Sequence, residues 1–185
     1  MKHVLSLLSM AIVIVACNNQ PATETAATDT KPSKETATMT VPEGVPFKVM
    51  YTSWTPGDAA NTKTILDMYK NWDDKKMTAV EAIFADSVVF DDPSGYQARA
   101  ARPALLDSLT RWRNLADSTY AEIITAMSLH SVDKNEDWVC VWAMNHWKDK
   151  KGKWDSSFNN ENWQFKAGKV VYLTALEQKA IKNSK

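Results

Sequence analysis

Two carboxylates stand where an acid is out of place. Residues 154–166 alternate, with Glu161, Trp163 and Phe165 on one side and Asn160, Asn162, Gln164 and Lys166 on the other. Such alternation marks a strand whose faces meet different surroundings, so Glu161 falls on the apolar face. The second acid is Asp92, which shares strand parity with Val88 and Phe90 and precedes Pro93-Ser94-Gly95. A carboxyl group held against apolar side chains has its charged form disfavoured and its pKa raised. That suits it to exchanging protons near neutral pH. Each residue also has a plainer reading. Asp92 can close an Asp-Pro-Ser-Gly turn by bonding its own backbone. Glu161 can be a structural acid paired with a Lys, an Arg or a Trp N–H.

Other chemistries lack their groups. The histidines are His3, His130 and His146. None forms a His-x-x-x-His pair or a His/carboxylate cluster at ligand spacing, so no metal is expected. There is no Ser-centred nucleophile elbow and no Gly-rich phosphate loop, and no cofactor is expected. Cys140 lies between Val139 and Val141 with Trp142 following. It reads as a buried, inert thiol, because no adjacent positive charge lowers its pKa. Lys+Arg and Asp+Glu both number 22, giving a formal net charge of zero, which argues against nucleic acid as a partner. Eight tryptophans in 185 residues imply dense aromatic packing or a lined pocket.

The elements that must position the acids follow from periodicity. Ile65, Leu66, Met68, Tyr69 and Trp72 recur at spacings of three and four, which predicts a helix over 59–72. A short helical stretch follows Thr78 through Val80, Ile83 and Phe84. From Ser87 the period becomes two, ending at the turn signature Asp92-Pro93-Ser94-Gly95. Pro103 opens a third helix with Leu105, Leu106, Leu109 and Trp112 on its apolar face. Strands are predicted over 120–132, 137–148, 154–166 and 169–176, with a polar, frayed tail beyond. The strand at 137–148 is apolar on both parities, which predicts a central strand covered on both faces and leaves the facing of Asn145 and His146 open. His130 falls on the polar parity of its strand. Trp72, Trp112 and Trp163 are expected in the core, while Trp138, Trp142, Trp147 and Trp154 crowd one hairpin. Helices gathered before an antiparallel meander imply an α+β fold with the helices on one face of a sheet.

Phe84-Ala85-Asp86, Val88, Phe90-Asp91-Asp92-Pro93, Gly95, the helix from Arg102 and Trp163-Gln164-Phe165-Lys166-Ala167-Gly168-Lys169-Val170-Val171 carry a resemblance over residues 58–177. The chain resembles a SnoaL-like domain of the nuclear transport factor 2-like superfamily, which includes ketosteroid isomerases and scytalone dehydratases. The resemblance implies three helices packed in the concave face of a strongly curved, mostly antiparallel sheet: a cone-shaped, cystatin-like α+β roll with an internal pocket. It places Asp92 at the isomerases' general base. Glu161 falls at their protonated Asp, which donates to the developing oxyanion. The oxyanion-donating Tyr of the first helix matches Met68, and Tyr69 is one residue away, a rotation of about 100° on a helix. With that donor displaced, steroid isomerisation is not expected. Three readings stay open: a non-catalytic pocket for a small apolar ligand lined by Tyr69, Phe90, Asn145 and Trp163; a cofactor-independent isomerase, cyclase or dehydratase using Asp92 and Glu161; and an interaction module on the outer sheet face, which in this superfamily often makes a homodimer.

The N-terminus carries its own signal. Lys2 and His3 precede the apolar run Val4–Ala16, 13 residues long, too short to span a bilayer and suited to a signal-peptide core. Ile14-Val15-Ala16-Cys17 resembles a lipobox, which implies a signal peptide over 1–16 and a lipidated Cys17. Residues 18–40 hold seven Thr and no aromatic or branched aliphatic residue, so they cannot bury enough apolar surface to offset ordering. A disordered tether is expected over 17–45, the domain over 46–178 and a tail over 179–185. The expected location is the cell envelope, lipid-anchored, with Asn18 favouring the outer membrane of a Gram-negative bacterium.

Overall fold

A computed structural model describes residues 37–91 and 96–179. The elements in chain order are β1 (Met39–Thr40), β2 (Ser53–Pro56), α1 (Ala59–Asp73), α2 (Met77–Glu81), β3 (Phe84–Asp91), β4 (Gln97–Ala101), α3 (Arg102–Leu115), β5 (Ala116–Ser131), β6 (Glu136–Asp149), β7 (Trp154–Lys166) and β8 (Lys169–Lys179). They form an α+β fold with one open, mixed sheet of order β1-β2-β5-β6-β7-β8-β3-β4. Only the β3–β8 pair is parallel. Register shifts in β5 at Ala116/Ser118 and Ile123/Thr125 are bulges, which bend long strands and sharpen their twist.

The helices cover one face. Asp58 caps α1 by accepting from the Ala60 N–H at 2.8 Å, satisfying one of the free donors of the first turn. Ile65, Met68 and Tyr69 are the buried stripe of α1. They meet the odd-numbered positions of β6, where Val139, Val141 and Ala143 have no exposed surface. That settles the facing of this strand. Its even positions point outward, and Trp142 is 43% exposed. The expected double cover of β6 is therefore absent: it is central in the sheet, but helices pack on only one side, so apolar residues on both parities do not mean burial on both.

Further elements escaped the sequence pattern. The strands β1, β2 and β4 are too short to show alternation, and β1 falls within the stretch read as tether. β8 runs on through Glu177 to Lys179, paired with Asn159 and Ser157 of β7, where a frayed tail was expected. Trp112 is 51% exposed rather than core, though its ring leans on Phe90 with centroids 6.0 Å apart.

A buried arginine ties the helical layer together. Arg113 of α3 donates through Nε to the Trp72 carbonyl at 2.8 Å, through Nη2 to the Asp73 carbonyl at 2.9 Å and through Nη1 to the Ala116 carbonyl at 3.2 Å. Trp72 and Asp73 close α1, so the guanidinium adds a donor to the Trp72 carbonyl, which also accepts from the Lys75 N–H at 3.1 Å, and serves the Asp73 carbonyl at the helix end. Burial lowers the Arg113 pKa, while Asp73 and Asp117 oppose that shift.

Candidate functional site

Glu161 projects from the inner face of β7. Its register partners are Val141 on β6 and Ala175 on β8, and Trp163 follows it on the same face at 4% exposure. Tyr69 reaches down from α1, where it lies one helical turn from Ile65 and Trp72. Its hydroxyl donates to Glu161 Oε2 at 2.6 Å. The one-residue offset from Met68 thus does not exclude Tyr69 from the inner face; both are buried, and Tyr69 makes the bond.

The electrostatics follow from burial. Burial raises the Glu161 pKa; the Tyr69 hydroxyl, Asn159 and Trp163 pull the other way without cancelling it. Trp163 Nε1 lies close enough to favour the charge but makes no hydrogen bond of proper geometry. Among the described residues Glu161 has no Lys or Arg partner, so the ion-paired alternative is not the arrangement found. The Tyr69 pKa is raised by its burial and then by the neighbouring Glu161 charge, so the phenol keeps its proton. In the neutral form that burial favours, Glu161 accepts from Tyr69 and holds a proton to offer; in that form the pair is a hydrogen-bond donor site in an apolar setting.

The other predicted residues distribute around it. Asn145 faces inward opposite Ser157, and Ser157 Oγ donates to Asn159 Oδ1 at 2.8 Å. Ser157, Asn159 and Glu161 occupy successive inward positions of β7, so a polar strip leads to the acid. Asn145, Asn159 and Glu161 keep partial exposure, whereas Tyr69 and Trp163 are closed. Phe90 stands on β3 opposite Leu173, which itself faces Trp163, so Phe90 joins the same inner surface. Asp92 and Cys17 lie outside the described residues. Asp91, the last described residue before the turn, accepts from the Tyr172 hydroxyl at 2.5 Å. Among the described residues no group of three His, Cys, Asp or Glu side chains could hold a metal ion. The Asn159–Ser157 strip was missed in the sequence, although both share the parity of Glu161.

In sequence the chain matches no family model and no curated protein. In structure it is similar to an LEH-like epoxide hydrolase from M. tuberculosis, with TM-score 0.55, 8% identity, and 65% of this chain and 84% of that one covered. It is also similar to a Catenulispora acidiphila protein of ketosteroid isomerase-like fold solved with trimethylamine, with TM-score 0.51, 12% identity, and 61% and 83% covered. The chain has the ketosteroid isomerase-like fold. A Streptomyces antibioticus protein described as a polyketide cyclase candidate shares it at TM-score 0.53 and 11% identity, over 64% of this chain and 91% of that one. The ketosteroid isomerase-like fold thus hosts hydrolases and cyclases alike. At these identities the fold is common ground and the chemistry must be argued from the site.

Proposed function

We propose that this is a lipid-anchored envelope protein whose domain binds a small, largely apolar molecule bearing one oxygen acceptor, without turning it over. Cys17 supplies the anchor and residues 18–38, up to β1, the tether. The ligand enters at the Asn145–Asn159 end, lays its apolar body along Phe90 and Trp163, and takes a hydrogen bond from the Tyr69–Glu161 pair. The supporting observation is that pair: a phenol donating at 2.6 Å to a carboxyl whose burial favours its neutral form. Titrating the protein with a cyclic ketone such as cyclohexanone and following intrinsic tryptophan fluorescence tests this. Saturable binding is expected, weakened about tenfold in Tyr69→Phe, the equivalent of one hydrogen bond. A response that does not saturate, or one identical in Tyr69→Phe, contradicts the reading.

The acid–base reading draws on the same pair. Glu161 would polarise a carbonyl while Asp92 takes a proton from the adjacent carbon. Loss of detritiation of an α-tritiated ketone in Asp92→Asn would support it over simple binding. On the outer face, Tyr120, Trp142 and Trp154 are 44%, 43% and 48% exposed. We infer that this end of the sheet pairs two copies as a homodimer; a monomeric wild-type protein in analytical ultracentrifugation would remove that inference.

A further inference from the structure

We propose that the protein has a second binding site, on the outer face of the sheet and remote from Glu161, that takes a small organic anion with an aromatic or apolar body and a phosphate or carboxylate head. The site is a cleft of about 760 Å³, and its origin is a fault in the ladder. Phe84 of β3 pairs with Val170 of β8, yet Val89 pairs with Tyr172. Four β3 residues therefore stand against the single residue Val171. The mismatch is compounded on the other side of β8, where Gln164 and Phe165 of β7 pair with Tyr172 and Val170, again skipping Val171. The cleft lies over this double register shift, with Val171 and Tyr172 in its lining.

The walls suit an amphiphilic anion. Arg99 on β4, Lys134 in the β5–β6 turn and Lys166 at the end of β7 all line the cleft. Val89 pairs across the sheet with Arg99 and with Tyr172, so a cation, an aliphatic side chain and an aromatic ring lie in one row. None of the three cations has an ion-pair or hydrogen-bond partner among the described residues. The two acids of the cleft are engaged elsewhere. Glu136 accepts from the Tyr51 hydroxyl at 2.9 Å and the Trp138 Nε1–H at 3.1 Å, and Asp137 bonds His130 Nδ1 at 2.8 Å. The Tyr172 hydroxyl is committed to Asp91, which leaves its ring, rather than its phenol, to the cleft. Three cations from three separate segments, without partners among the described residues, make a charged rim over an apolar floor around Val89, Val171 and Tyr172. Arginine adds a planar fork matched to phosphate and carboxylate.

Isothermal titration of the full chain in neutral detergent with phenyl phosphate tests the site. Saturable binding with Kd below about 1 mM is expected at low salt, weakening as sodium chloride is raised because the rim is exposed. Arg99→Ala combined with Lys166→Ala should weaken binding about tenfold or more. Both side chains are exposed, so the melting temperature should stay within about 2 °C. Inorganic phosphate should bind more weakly, and Tyr69→Phe should leave phenyl phosphate binding unchanged. The proposal is overturned by no saturation up to about 10 mM phenyl phosphate, by equal binding in the double variant, or by loss of binding in Tyr69→Phe, which would locate the anion in the inner chamber instead.

Discussion

Glu161 has a pKa raised by burial and, among the described residues, no cation to offset it, which fixes how the protein's stability must respond to pH. Below the ordinary carboxyl value of about 4.3 the group is protonated in both folded and unfolded chains and contributes no pH dependence. As pH rises past that value, the unfolded chain ionises first, so its free energy falls relative to the folded one and stability declines. The decline continues until the folded-state group also ionises. Glu161→Gln keeps the shape and an acceptor for Tyr69 while removing the titration. Urea melts at pH 4 and pH 7 should show the variant with a smaller loss between the two than wild type, and no less stable at pH 7. A variant destabilised at pH 7 by several kcal/mol, as expected for breaking a buried ion pair, would assign Glu161 to structure alone. This residue was legible in sequence because strand alternation puts Glu161 beside Trp163 and Phe165. Its partner was half legible. Helical periodicity places Tyr69 on the apolar stripe, but only the tilt of α1 over β7 decides whether Tyr69 or Met68 meets the acid.

At the scale of elements, the most demanding join is between α1, α3 and the start of β5, where Arg113 bonds three carbonyls from a position 2% exposed. Arg113→Lys keeps a charge but loses the fork that satisfies Trp72, Asp73 and Ala116 together. Leaving the buried Ala116 carbonyl and the part-buried Asp73 carbonyl without this donor should cost about 2–3 kcal/mol, read as a lower urea midpoint with an unchanged slope. An unaltered midpoint would mean that water replaces the guanidinium at no cost. Long elements with a strong period were read well: α1, α3 and β5 to β8 all lie near their expected positions. The failures share a cause. β1, β2 and β4 have two, four and five residues, too few for a period to register, and what makes them strands is pairing: β2 with the distant β5, β1 with β2, and β4 as the edge strand beside β3. Trp112 fits the apolar side of α3 in projection, yet it sits near the helix end beyond most of the sheet. Neither residue type nor spacing reports that edge.

Across the whole molecule, the proposal joins an anchor, a tether and a chamber. Lipid attachment at Cys17, read from the lipobox resemblance of Ile14-Val15-Ala16-Cys17, is the anchor it invokes. Cys17→Ser should shift the protein from the membrane to the soluble fraction on cell fractionation. A wild-type protein already soluble and beginning at another residue would refute the anchor. The one-sided layering was legible from the order of elements, and the curvature only as what the family resemblance implied. The outer cleft was not, since it arises where β3 and β8 fall out of register, and no local pattern encodes the misfit of two strands some eighty residues apart.

The central claim is that a carboxyl group sits protonated against Tyr69 inside the chamber, ready to meet a ligand oxygen. Carbon-13 NMR of protein labelled at glutamate side-chain carboxyls, with Glu161 assigned by its absence in Glu161→Gln, measures this directly. One resonance should remain at a protonated shift well above the ordinary glutamate range, and it should move in Tyr69→Phe. If instead Glu161 titrates at or below about 4.3, the site holds a conventional carboxylate, and the account of the chamber as a neutral donor site is wrong.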